Sequence, residues 1–91
     1  MSAAFDVNAS FPADTHYREA VRAMAVQAAQ HAGSGTEPAE RFAAAVAEAF
    51  VAQLSGAARA VTIRLECGPQ EVAATIDGAA SARVVHPVAA N

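Results

Sequence analysis

An α+β fold is what this sequence predicts: a two-layer sandwich with two helices packed on one face of a mostly antiparallel sheet of three to four strands. Three observations carry that expectation. Two stretches joined by Gly33-Ser34-Gly35 place apolar residues at three- and four-residue spacing. Two runs flanking Gly68-Pro69 alternate apolar with polar residues. A further alternating run precedes the first helical stretch.

In chain order, the first run spans Ala4 to Phe11. Phe5, Val7, Ala9 and Phe11 share one parity and Asp6, Asn8 and Ser10 the other, the pattern of a half-buried strand. Pro12 has no amide to donate and ends it, and Asp14 or Thr15 caps the helix that follows. From Thr15 to Ala32 an apolar stripe of Tyr17, Val21, Met24, Ala25, Ala28 and Ala32 predicts a helix, with Arg18, Glu19, Arg22 and Gln30 off the stripe. Arg18 and Arg22, one turn apart, read as a solvated flank in preference to a phosphate clamp.

Gly33-Ser34-Gly35 closes that helix, and Thr36 is placed to cap the next, whose first turn carries Glu37 and Glu40 near the exposed amides. The second helix is predicted to run to Leu54. Ala39, Phe42, Ala43, Val46, Ala47, Phe50, Val51 and Leu54 fill one half of its wheel, with Glu37, Arg41, Glu48 and Ala52 opposite. Ser55-Gly56 ends it.

Val61, Ile63 and Leu65 alternate with Thr62, Arg64 and Glu66 over Ala60 to Glu66. After the Gly68-Pro69 turn, Val72, Ala74 and Ile76 alternate likewise up to Asp77-Gly78, which predicts an antiparallel hairpin. Thr62, Arg64, Glu66, Ala73 and Thr75 are assigned to a solvated or lightly covered sheet face. A last run, Ala82 to Val88, reads as an edge strand or tail because Pro87 interrupts it.

Composition narrows the function classes. Ninety-one residues make one domain, with its core over about 4–78 and the weak strand or tail over 79–91. A formal charge of −3, with six arginines dispersed from Arg18 to Arg83 and no basic stripe, argues against nucleic acid as a partner. The use of arginine without lysine hints at a GC-rich bacterial genome. Alanine supplies much of the apolar content and gains little per side chain on burial, so self-association as a homodimer is expected. No run approaches the roughly 18 apolar residues of a membrane span, and residues 1–14 lack the pattern of a signal peptide. A cytoplasmic location is therefore expected. The single cysteine, Cys67, excludes an internal disulfide and reads as a small half-buried side chain.

The residues alone point to no chemistry. His16, His31 and His86 are too far apart in sequence for a zinc motif, no phosphate-binding glycine loop follows a strand, and no serine has a nucleophile-elbow context. Glu48 is the one carboxylate on the polar side of the second helix that stands out; an acid that orients a water or supports a metal through solvent is one reading of it, and a solvent-facing glutamate is the preferred one.

The layout nevertheless resembles the histidine-kinase-like ATPase domain of bacterial anti-sigma-factor serine kinases. Pro12-Ala13 stands where that family opens its first helix, Ala45-Val46-Ala47-Glu48-Ala49 matches the phrase on its second, and Asp77-Gly78 stands at the aspartate box that contacts adenine. The resemblance covers about Phe5 to Gly78. It implies the scaffold and, as partners, a sigma factor or an anti-sigma antagonist in transcription regulation.

In that family an asparagine four residues after the glutamate holds the magnesium, and here the position is Ala52, which offers no ligand. The family continues beyond the aspartate box into a glycine-rich lid, whereas AASARVVHPVAAN follows Gly78 here. The expectation is a degenerate, non-catalytic interaction domain with no cofactor, no metal and no catalytic residue, in which Glu48, Asp77 and Gly78 are vestiges. The first helix and the adjoining sheet edge form its expected partner surface. Two alternatives stand beside it: an active ATP-binding serine kinase using Glu48 and Asp77, and a structural subunit of a larger assembly.

Overall fold

Alternation at the chain's beginning yields β1 (Phe5–Pro12), and the computed structural model, which describes residues 5–54, 59–68, 70–78 and 80–88, continues through a 3-10 turn at Thr15–Tyr17. Helices α1 (Arg18–His31) and α2 (Thr36–Ala52) follow, then β2 (Ala60–Cys67), β3 (Glu71–Asp77) and β4 (Ser81–Pro87). The four strands form one antiparallel sheet in the order β1-β2-β3-β4. Both helices cover one face of it, α1 chiefly over β2 and α2 over β3 and β4. This is the two-layer α+β arrangement the sequence predicts.

Local chemistry accounts for the element ends. The Asp14 carboxylate accepts from the His16 amide at 2.9 Å, so the expected cap holds a 3-10 turn and α1 begins three residues later than predicted. Gly33, at φ +106°, closes α1. Its amide donates to Gln30 O at 3.0 Å and the Ser34 amide to Ala29 O at 3.0 Å, the paired bonds of a Schellman ending. Thr36 is not the cap of α2. Gly35 occupies that position without a side-chain bond, and Thr36 is the first helical residue. The Ser55-Gly56 terminator lies outside the described residues.

The largest fully buried side chains are Phe50, Ile63, Leu65, Ile76, Val21, Val46, Val61 and Val72. Around them the helices bury alanines, Ala25, Ala28 and Ala29 on α1 and Ala39, Ala43 and Ala47 on α2, whose small size lets the two backbones approach closely. Phe11 closes one end of the core, edge-on to Phe50 at 6.1 Å and 6.2 Å from Tyr17.

Two assignments need correction. Val51, placed on the core half of α2, is 37% exposed: the apolar half-wheel is wider than the stripe the sheet and α1 can cover, and Phe50 takes the interior position. Ala73 lies on the solvated or lightly covered face as expected but is fully rather than lightly covered there, flanked by the longer side chains of its register neighbours Glu66 and Val85. The run at 82–88, of uncertain pairing in the sequence, pairs with β3 along all seven residues of Ser81–Pro87 as an edge strand. Among the described residues no helix is long and apolar enough to cross a membrane.

Candidate functional site

The residues that carry the resemblance occupy three separate environments. Glu48 is exposed on α2, away from the face that buries Val46, Ala47 and Phe50. Asp77 ends β3 with parity opposite to buried Ile76, and its register partners Thr62 and Ser81 are exposed. Its carboxylate therefore belongs to the sheet face that no helix covers. The sheet and the helical layer lie between the two acids, so they are not brought together.

Gly78 is on the opposite side from Asp77, beneath the end of α2. A Cβ built there would lie 2.8 Å from Gln53 Cβ, 3.0 Å from the Gln53 carbonyl oxygen and 3.1 Å from Val61 Cγ2. Only a residue without a side chain fits without displacing the helix end, which gives this glycine a packing role. Gln53, a residue the sequence reading passed over, is the one buried polar side chain among the described residues. Its Oε1 accepts the Ala80 amide at 2.7 Å and ties the β3–β4 connection to α2. A lone glutamine after an apolar helix gives no sequence signal for this, because the bond depends on where the hairpin falls.

The helix-free sheet face is polar. Arg64 lies 3.4 Å from Asp6 and 3.9 Å from Glu66, and Arg83 lies 3.9 Å from Glu66, so one cluster joins β1, β2 and β4. Each pair is about half exposed and worth roughly 0–1 kcal/mol. Arg41 pairs with Glu37 along α2 at 3.3 Å, and Arg18 with Glu19 at 3.6 Å, consistent with solvated flanks.

Two grooves lined by described residues open on the helical side. The larger, about 640 Å³, runs between α1 and the β1 edge and is lined by Val7, Met24, Gln27, Ala28, His31 and Leu65. The smaller, about 260 Å³, lies where the α1–α2 connection meets β4, among Gly33, Ser34, Gly35, Pro38 and His86. There the Ser34 hydroxyl and His86 Nε2 are 3.0 Å apart, and the imidazole lies 5.5 Å from the Phe42 ring. This contact brings together residues 52 positions apart, which spacing cannot reveal. Neither groove is lined by Glu48 or Asp77.

Cys67 is buried on β2. Its Sγ is 3.6 Å from Gly68 O, and burial pushes the thiol above its ordinary value of 9.0, the opposite of an activated nucleophile. Among the described residues no group of three or more His, Cys, Asp or Glu side chains is placed to hold a metal ion. Searched against models of known protein families the chain matches none, and no curated protein is significantly similar to it.

Proposed function

We propose that this chain is a non-catalytic regulatory or protein-interaction domain, a degenerate relative of the anti-sigma-factor serine kinase scaffold that has lost ATP binding. The observation that supports it best is the separation of Glu48 and Asp77 onto opposite outer surfaces of the sandwich. A nucleotide site needs its metal-supporting and base-contacting groups to converge on one ligand, and these diverge. Ala52 supplies no magnesium ligand, and β3 gives way to β4 only four residues after Asp77, so the segment following the aspartate box is a hairpin connection.

The partners the reading implies are a sigma factor or an anti-sigma antagonist, in a bacterial cytoplasm, met on α1 and the neighbouring sheet edge. Self-association as a homodimer belongs to the same proposal, motivated by a core rich in alanine, and sedimentation at micromolar concentration tests it.

Titration of magnesium ATP with the melting temperature as readout tests the loss of nucleotide binding. A ligand at ~100 times its dissociation constant stabilises a fold by about 2.7 kcal/mol. No shift is expected, and a clear saturable rise would establish the kinase-like alternative instead.

A further inference from the structure

We infer that the groove between α1 and β1 is a docking site for an extended segment of a partner protein, which adds to the sheet beside β1 and sets apolar side chains into the groove. The inference rests on the interaction-domain reading above and specifies where and how the partner binds.

The register of the sheet supplies the geometry. Val84, Ala74, Leu65 and Val7 form one row across the face beneath the helices, each opposite the next. Leu65 and Ala74 are fully buried, while Val7, at the end of the row, is only partly covered. The groove begins at that point, with Met24, Gln27, Ala28 and His31 of α1 as its far wall. A strand paired with the side of β1 on which no described strand lies continues the row, because its residue opposite Val7 faces the helices, as Val7 does. Its next residue of that parity lies opposite Ala9, a small residue that leaves room for a large one.

Charge selects the occupant. The six residues lining the groove include no carboxylate, lysine or arginine, so the inward positions of the added strand are uncharged. On the outer face the position beside Asp6 meets a carboxylate that is 54% exposed and, among the described residues, pairs with Arg64 at 3.4 Å. A basic residue complements it. A second copy of β1 does not: its outward residues, Asp6, Asn8 and Ser10, offer no cation. For antiparallel addition the recognised pattern is apolar, any residue, apolar, basic, read in the partner's chain direction.

Fluorescence anisotropy of short labelled peptides tests this. The probe carries leucine, threonine, leucine and arginine at its centre, the control has glutamate for the arginine, and circular dichroism confirms that each variant is folded. Saturable binding of the arginine peptide is expected, about fivefold tighter than the glutamate peptide. Asp6→Arg is expected to reverse that preference, and Met24→Trp, which fills the groove, to abolish binding of both.

Absence of binding to the folded wild-type chain overturns the inference, as does binding that neither variant alters. Concentration-dependent self-association lost in Met24→Trp also overturns it, since the groove is then occupied by a second copy. A magnesium ATP response would instead refute the underlying reading, and it is scored separately from every peptide result.

Discussion

Gly78 and Gln53 are in contact across the two layers: a methyl group on Gly78 would lie 2.8 Å from Gln53 Cβ and 3.0 Å from its carbonyl oxygen. The second of these neighbours is backbone and cannot swing aside. Gly78→Ala is therefore expected to lower stability by about 1–3 kcal/mol, the usual cost of overpacking a close approach. Thermal melting checks this, with a fall in Tm of roughly 4–8 °C per kcal/mol for a domain of this size. An unchanged Tm would remove the packing explanation for this glycine.

The same helix end is held by the Gln53 side chain, which accepts the Ala80 amide at 2.7 Å. Gln53→Ala leaves that part-buried amide without its acceptor, and a loss of about 1–3 kcal/mol is expected by urea denaturation. Because Gly78→Ala pushes on the same residue, the double variant is expected to lose less than the sum of the two, a coupling that a double-mutant cycle measures.

Phe50 and Val51 are adjacent in sequence and opposite in environment. Phe50 is fully buried, with Phe11 edge-on to it at 6.1 Å, whereas Val51 is 37% exposed. Phe50→Ala is expected to cost about 3–5 kcal/mol, a large fraction of a small domain's stability. Val51→Ala is expected to change stability by no more than about 0.5 kcal/mol. Chemical denaturation of the pair distinguishes the observed α2 face from the wider one its composition suggests.

Local rules made the secondary structure legible. Alternation located β1, β2 and β3, and the hairpin between β2 and β3 followed from Gly68 and the runs on either side of it. What the sequence concealed depends on three-dimensional neighbours. Ala73 is buried by Glu66 and Val85, which belong to other strands. Val51 is exposed because the apolar half of the helix is wider than the stripe that the sheet and α1 cover. Glu48, Asp77 and Gly78 read in sequence as parts of one inherited site. Asp77 ends β3 on the helix-free face, and Gly78, just past the strand, packs toward Gln53 and Val61 on the other side. The Ser34–His86 contact was likewise invisible, since nothing near either residue marks the other.

Cys67 gives a pH dependence whose sign follows from its burial. Its thiol is held above the ordinary value of 9.0 in the native state, so between that value and the raised one the unfolded chain has released a proton that the folded chain keeps. The contribution is fully present below pH 9 and is lost as pH rises above it. Urea midpoints measured from pH 8 to 10.5 are expected to fall, and Cys67→Ala to fall less over the same range. A thiol reagent such as dithionitrobenzoate is expected to label wild-type Cys67 slowly, at a rate that rises with denaturant, because the sulfur is reached only when the structure opens. Rapid labelling of the folded chain would show that the thiol is not buried.

Ala52 offers the sharpest test of whether one residue can confer nucleotide binding on this scaffold. It is exposed in the last turn of α2, one turn after Glu48, and under the proposed reading Ala52→Asn supplies the amide expected to ligate magnesium. If the missing ligand were the sole defect, the variant would show a saturable rise in Tm with magnesium ATP. No such rise is expected. Asp77 would still face away from the helices, and the segment after Gly78 would still turn directly into β4. An amide at position 52 holds no nucleotide when the group that would contact the base lies on the other side of a four-stranded sheet. Asparagine is a poorer helix former than alanine by up to about 0.7 kcal/mol, so a slightly lower Tm, independent of nucleotide, is the outcome expected.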